Sequence, residues 1–287
     1  MLIVTGASGH LGRKIVENLL TRVSADRIGI SVRDPATLSD LAARGVRIRQ
    51  GDYSDAESLR HAWEGAQRVL LVSSNAATSG GDPLAQHATA INVASELGVE
   101  RVFYTSQMSS SETSHFPPGR DHAVTERMLA DSGLAWTALR HGFYAHSALQ
   151  MNARGFEAGT LSAPEDGKVA WTTHADLAAV DAALLAGDEV IDGPTPPLTG
   201  NEALDLEDLA RLAGRSMNKT ISRVVLEEQD FERGVRGAGL NKGVIALMLG
   251  YYRAARAGEF AAIDPTLSRI LGRAPETMSR FLQVNLR

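Results

Sequence analysis

The sequence predicts an α/β fold, a doubly wound parallel sheet followed by a smaller, mixed α/β C-terminal lobe. Three observations carry this expectation. Through about residue 150, short β-branched apolar runs alternate with stretches of helical periodicity, the pattern of strands joined by helices that cover both faces of a sheet. Residues 68–72 are continuously apolar after Arg68, as a strand buried on both faces must be. The third observation is Thr5-Gly6-Ala7-Ser8-Gly9-His10-Leu11-Gly12, a glycine turn set between the first apolar run and the first helical stretch.

Leu2-Ile3-Val4 forms the first strand, and Leu11, Ile15 and Leu19 mark the helix after the turn. Gly6 permits the tight reversal, Gly9 lets backbone N–H groups approach a pyrophosphate, and Gly12 lets the helix pack closely on the strand. The helix N-terminus adds partial positive charge for phosphates. Strand, glycine turn and helix together make this a Rossmann-type dinucleotide-binding element. Strand two covers residues 27–33, and Asp34-Pro35 opens a helix marked by Leu38 and Leu41. Strand three begins at 45–48 and closes at Gly51-Asp52, before a helix at 56–63. Strand four is 68–72, and a long helix at 83–97 stops at Gly98. Strand five is 101–105, a helix follows at 121–131, and strand six is 136–140. Right-handed crossovers place the C-terminal ends of parallel strands along one edge, where ligands bind. Gly6 to Gly12, Arg33, Asp52, Ser73 to Asn75, Thr105 to Gln107 and Arg140 to Tyr144 are expected to line one crevice there.

Residues 1–150 are expected to form the dinucleotide-binding domain and 151–287 a smaller substrate-binding lobe, with about 168–187 packing back on the first. Gly155, Gly159, Pro164 and Gly167 punctuate what reads as a loop-rich stretch before a strand-like run at 169–171. Thr173-x-x-Asp176 fits a capping box ahead of a helix at 177–185. Short helices follow at about 205–213, 229–237, 242–257 and 265–271, with one strand at 221–226. The segments 73–81 and 106–120 are rich in Ser, Gly and Pro. Each is either a surface linker or a segment that touches substrate.

At 287 residues and 44% apolar, the chain can bury a substantial core. A net charge of −5 carries no basic excess, so nucleic acid and anionic membrane are not expected partners. Without cysteine there are no disulfides, no thiolate chemistry and no cysteine-bound metal. The eight histidines show no compact metal spacing, so no metal site is expected. No stretch approaches the roughly 20 apolar residues of a membrane span, and no signal core precedes the first strand. A cytoplasmic protein is the expectation, and a homodimer is compatible with it.

An NAD-preferring fold usually places Asp or Glu at the end of strand two to bind the ribose hydroxyls. Here Arg33 stands at that end. A guanidinium suits a 2′-phosphate and can stack on adenine, or it is simply a solvated arginine before a Pro-initiated helix. NADP(H) is favoured, while Asp34 beside it keeps NAD(H) open. Asp52 is either a partner for the adenine amine or the N-cap of the next helix.

Several blocks then carry a resemblance in order. They are the glycine turn, Val32-Arg33-Asp34, Gly51-Asp52-Tyr53, Leu71-Val72-Ser73-Ser74, Tyr104-Thr105-Ser106, Leu139-Arg140-His141-Gly142-Phe143-Tyr144, Gly167-Lys168-Val169-Ala170 and Ala175-Asp176. The chain resembles the NmrA-like atypical short-chain dehydrogenase/reductase group over nearly its full length. Within that group it is most similar to bacterial NADPH-dependent quinone reductases and triphenylmethane dye reductases. The resemblance implies cofactor contacts from Gly6, Ala7, Ser8, Gly9, His10 and Leu11, from Arg33, and from Ser73, Ser74 and Asn75. It also implies contacts near the nicotinamide from Arg140 to Ala145, among them Arg140, His141, Gly142 and Phe143, and from Ala170 to Ala175, among them Trp171 and Thr172. Thr105, at the end of strand five, joins the cofactor set.

By the same resemblance, His122 and Glu126 fall where ordinary short-chain dehydrogenases carry Tyr-x-x-x-Lys. Alcohol and ketone chemistry needs a phenol-type acid with a lysine that lowers its pKa. A quinone or extended dye yields a delocalised product and needs less acid catalysis, so proximity and a dry pocket do most of the work. His122 either donates a proton to the developing oxyanion or is a structural helix histidine. Glu126, one turn on, either orients His122 or is a solvated carboxylate. Tyr144 is a second candidate acid or substrate anchor, with Phe143 as ring-packing surface and Gln107, Met108, His115 and Phe116 as pocket wall. The leading expectation is an NAD(P)H-dependent reductase of quinone-like aromatic compounds. Two others stand beside it: a tailoring enzyme for an aromatic polyketide, and a non-catalytic NADP-binding redox sensor.

Overall fold

The computed structural model describes residues 1–187 and 189–286. Among them the strands are β1 (Leu2–Thr5), β2 (Ile28–Val32), β3 (Arg47–Gln50), β4 (Arg68–Leu71), β5 (Arg101–Gln107) and β6 (Ala135–His141), then β7 (Phe143–Tyr144), β8 (Thr160–Pro164), β9 (Trp171–Thr172), β10 (Gly193–Pro194) and β11 (Ser222–Leu226). The helices are α1 (His10–Leu19), α2 (Ser39–Ala43), α3 (Ala56–Ala62), α4 (Pro83–Glu96), α5 (Pro117–Asp131) and α6 (Ala145–Ala158). They continue as α7 (His174–Ala186), α8 (Leu206–Met217), α9 (Glu228–Gly237), α10 (Lys242–Arg256), α11 (Thr266–Leu271) and α12 (Met278–Asn285). None of them is long and apolar enough to cross a membrane. Two compact units share the chain: Met1–Ser106, Asp121–Arg140 and His174–Thr195 form the first, and Gln107–Arg120, His141–Thr173 and Pro196–Arg287 the second.

The first unit is built on a parallel sheet of order β10-β6-β5-β4-β1-β2-β3. β1 lies inside it, with Leu2 registered on Ile28 of β2 and on Arg68 of β4. All four residues of β1 are buried, which is why the run has no polar face. From β1 the chain goes outward to β2 and β3, then returns to β4 on the opposite side. That reversal opens the sheet's carboxyl edge between β1 and β4, the usual place for a ligand. The Thr5 hydroxyl spans the same gap, accepting from the Val72 N–H at 2.8 Å and donating to the Leu70 carbonyl at 3.0 Å. Helices start where side chains satisfy their first amides. Asp55 accepts from Glu57 and Ser58 N–H groups at the head of α3, and Asp82 accepts from Leu84 and Ala85 at the head of α4.

In the second unit β8 pairs with β11 and β7 with β9, both parallel. Its core contains an aromatic cluster. Phe143 sits 4.9 to 5.7 Å, centroid to centroid, from Phe116, Trp171, Tyr251 and Phe260. The three edge-on pairs, with Trp171, Tyr251 and Phe260, contribute about 0.5–1.5 kcal/mol each beyond their buried area.

One stretch departs from the sequence expectation. Residues 155–167, read as loop-rich, contain the end of α6 and all of β8. Gly155 is not a breaker there, because a Cβ would lie 2.6 Å from Leu161 Cδ2 and 2.8 Å from the Thr160 carbonyl. The glycine serves close packing of β8 on α6. Gly159, at φ +80°, is the left-handed residue that ends α6.

Candidate active site

The glycine turn lies at the β1/β4 opening. A Cβ on Gly6 would sit 3.1 Å from Val72 Cβ, and φ of +62° already favours glycine. A Cβ on Gly12 would be 2.4 Å from the Gly6 carbonyl oxygen, so α1 rests directly on the turn. Gly9 is the N-cap of α1; no side chain caps the helix and no acidic residue occupies its first turn. Ala7 and Leu11 are buried, whereas Ser8 and His10 are exposed. This end therefore keeps its positive dipole for an outside anion, and the cradle fits a dinucleotide pyrophosphate. The His10 ring stacks on His174, the first residue of α7, at 6.5 Å and 12°.

Arg33 follows β2 directly and is exposed. Its side chain makes no hydrogen bond or ion pair to another described residue. Asp34 is differently employed: its carboxylate accepts the Ala36 N–H at 3.0 Å and caps the short 3-10 turn Pro35–Leu38. Asp52 is not the cap of α3; Asp55 is. The Asp52 carboxylate instead accepts the Ser54 N–H at 2.8 Å, which closes the bend after β3.

At the ends of β4 and β5, the buried Thr105 hydroxyl accepts the Ser73 N–H at 2.8 Å and donates to the Ser73 hydroxyl. The Ser74 N–H donates to His87 Nε2 at 2.8 Å, and Asn75 is exposed. Because Nε2 accepts a backbone proton, His87 carries its own proton on Nδ1, which is 2.9 Å from Thr125 Oγ1. Thr125 passes its hydrogen on to the Asp121 carbonyl. Burial pulls the His87 pKa down to about 4, so the ring stays neutral and keeps the 73–75 segment anchored.

His122 Nδ1 lies 2.7 Å from the Tyr104 hydroxyl. Tyr104 is fully buried in β5, and burial pushes its phenol well above the ordinary range, so it stays protonated. Glu126 is not a solvated carboxylate. It is 7% exposed and takes two bonds from Arg140, at 3.1 and 2.6 Å, plus one from the Ser106 hydroxyl at 2.6 Å. A forked guanidinium pair of this type holds both partners in orientation. The Arg140 N–H donates in turn to Thr195 Oγ1 at 3.0 Å.

The remaining candidates belong to the second unit. His141 is buried, its Nδ1 3.4 Å from the Tyr144 hydroxyl, and its carbonyl accepts the Met108 N–H at 2.9 Å. Gly142 has no room for a side chain, since a Cβ would be 2.3 Å from Thr172 Oγ1 and 3.0 Å from the Ala170 carbonyl. Thr172 also accepts the Gly200 N–H. Trp171 is buried with its indole N–H donated to the Leu204 carbonyl at 3.1 Å. Phe116 and Phe143 are parts of the ring cluster. Gln107 is more unusual. Its Oε1 accepts both the N–H and the hydroxyl of Ser109, which fixes the amide's orientation, while its buried Nε2 has no partner. A buried donor without an acceptor costs about 1–3 kcal/mol. Among the described residues, no three His, Asp or Glu side chains are grouped to hold a metal.

Sequence reasoning missed Tyr104, Thr125 and His87 as supports, and placed Ser106 on the ligand edge without its bond to Glu126. For His87 a signal existed: His87, Ala90, Ile91 and Ala94 share the i, i+3, i+4, i+7 spacing of a buried helix face. For the others no local pattern announces the partner.

Known proteins match this chain over nearly its whole length. A model of the NAD(P)H-binding family matches residues 6–188. Quinone oxidoreductase 2 of Escherichia coli (strain K12) is 35% identical over 282 residues, spanning 97% of this chain and 96% of its own. An NmrA-like family domain-containing oxidoreductase of Aspergillus flavus is 27% identical over 279 residues, spanning 95% and 91%. The crystal structure of the Escherichia coli NADPH-dependent quinone oxidoreductase QOR2 in complex with NADPH shares the fold at a TM-score of 0.93 and 33% identity, over 100% of both chains. The chain belongs to the NAD(P)H-binding family, with NmrA-like oxidoreductases among its relatives.

Proposed function

We propose that the protein is an NAD(P)H-dependent oxidoreductase that prefers NADPH and reduces a quinone or quinone-like aromatic acceptor. The 35% identity to quinone oxidoreductase 2, running through nearly all of both chains, carries this reading. When bound, the reduced nicotinamide supplies a hydride, and a quinone takes up that hydride and a proton to become a hydroquinone.

The chain's own residues divide the remaining work. Backbone amides of Gly6 to Leu11 hold the pyrophosphate, and Arg33, with no partner among the described residues, takes the 2′-phosphate. Asp34 is committed to its cap, which weakens its claim on the ribose hydroxyls. Glu126 clamps Arg140 and leaves proton handling to His122, whose ring Tyr104 orients. The Gln107 Nε2 donor is suited to an acceptor oxygen, where it gains the bond it lacks. Tyr144 and Phe143 supply an anchor and ring-packing surface for the acceptor. A mild donor is enough because the reduced ring delocalises its charge.

Steady-state loss of NADPH absorbance with a panel of benzoquinones and naphthoquinones tests the reading. Turnover is expected, and faster with NADPH than with NADH. Tight NADPH binding without turnover of any quinone would overturn it in favour of a cofactor-sensing role.

A further inference from the structure

We propose that the second unit carries a binding site for a small organic anion with an apolar, aromatic-sized body. The site is a cavity of about 560 Å3 formed by the 113–120 segment, α9 and α10. Of its lining residues only His115 is also a candidate for the acceptor's pocket wall, and the cations on which the proposal rests, Arg120 and Lys242, are assigned to neither cofactor nor acceptor, so it stands independently of the hydride-transfer reading.

The floor is apolar. Ile245 and Leu249 are buried beneath it, and Pro117 borders it. A Cβ on Gly250 would lie 2.7 Å from Pro117 Cδ and 2.8 Å from the His115 carbonyl, so α10 is seated directly on the 115–117 segment. The rim is cationic, with Arg120, Arg236, Lys242 and Arg253 against Glu232 as the lining carboxylate. Two of these cations are balanced: Arg236 pairs with Glu232, and Arg253 pairs with Glu228 at 2.6 Å. The other two are not. Arg120 donates to the neutral Ser114 carbonyl at 2.6 Å, and Lys242 has no carboxylate partner among the described residues. The nearby Glu259 carboxylate is taken up by the His115 N–H and ring and by the Ser114 hydroxyl.

Two uncompensated cations above an apolar floor select for a ligand that offers both an anionic group and a ring. Inorganic phosphate supplies only the first, and a neutral quinone only the second. The volume lies in the range of about 300–1,000 Å3 typical of small-molecule pockets.

Calorimetric titration of the full-length protein with naphthalene sulfonate, and separately with the neutral naphthyl methanol, tests the proposal. The sulfonate is expected to bind more tightly than the alcohol, with the difference shrinking as salt rises. Lys242→Glu should weaken the sulfonate by about five- to tenfold and Arg120→Gln by a few-fold, with the alcohol unaffected. Both side chains are exposed, so the variants are expected to fold. Kinetics with naphthoquinone sulfonate identify the ligand's role. A KM raised by Lys242→Glu for the sulfonated quinone alone means the anion is itself reduced; an unchanged KM beside lost sulfonate binding means a separate ligand site. Equal binding of sulfonate and alcohol, or sulfonate affinity untouched by both substitutions, would overturn the proposal. An enzyme inactive on every quinone leaves the binding experiment intact, so the two failures are distinguishable.

Discussion

Arg33→Ala should separate the two dinucleotides. The guanidinium follows β2, is exposed, and makes no hydrogen bond or ion pair to another described residue. Removing it should therefore change folding stability by no more than about 0.5 kcal/mol. A charge-assisted pair with a 2′-phosphate is worth about 1.5–3 kcal/mol, so NADPH should bind roughly 10- to 150-fold more weakly. NADH has no 2′-phosphate, and its affinity should move only as far as any stacking of Arg33 on adenine, which both cofactors share. The ratio of the two dissociation constants thus isolates the phosphate contribution. Fluorescence titration with each cofactor at low and high salt measures it, and the NADPH advantage of the parent protein should shrink with salt. Asp34→Ala is the companion. Loss of its cap should cost about 1 kcal/mol of stability and leave the cofactor ratio alone. Equal weakening of NADPH and NADH by Arg33→Ala, or an NADH-selective loss in Asp34→Ala, would refute the assignment.

Three further outcomes are expected. Gln107→Glu keeps the oxygen that Ser109 uses and replaces the unpartnered donor with an acceptor; kcat/KM for a quinone should fall by roughly 10- to 100-fold with NADPH affinity unchanged, and unaltered kinetics would remove Gln107 from the acceptor site. Glu126→Ala leaves the partly buried Arg140 guanidinium without its carboxylate, which should cost roughly 2–5 kcal/mol in chemical denaturation; a loss below about 0.5 kcal/mol would show the pair to be as weak as a surface one. Acidification should destabilise the protein through His87, whose pKa is about 4 in the fold against 6.5 ordinarily. Above about pH 6.5 the ring is neutral in both states and its contribution is complete; between about 6.5 and 4 the unfolded chain takes up a proton that the fold excludes, so stability drops by roughly 3 kcal/mol. The urea midpoint measured against pH in the parent and in His87→Gln checks this, and identical profiles would exclude His87 as the titrating group.

What was legible in the chain has a physical boundary. The glycine turn, Arg33 at the end of β2 and the strand succession rest on contacts within about ten residues, and local pattern carries that information. The partners of the chemical groups do not. Glu126 is one helical turn from His122, so spacing alone suggests that the carboxylate orients the imidazole. Packing of α5 on the sheet instead gives Glu126 to Arg140 and Ser106, and His122 to Tyr104. The difference at 155–167 has the same root: glycine and proline spacing suggests a loop-rich stretch, whereas Gly155 faces β8 at a distance no side chain fits. The glycine turn and Arg33, then, are local features, while the partners of His122 and Glu126 are set by tertiary contact. That division changes the chemistry. With Glu126 held by Arg140 and Ser106, the side chain 2.7 Å from His122 Nδ1 is the Tyr104 phenol rather than this carboxylate. Burial keeps that phenol protonated, and its hydroxyl lies within hydrogen-bond reach of Nδ1, with the direction of the bond set by the ring's tautomer. A neutral phenol beside the imidazole, in place of a carboxylate, fits the proposed acceptor, whose reduced form needs one proton and little push.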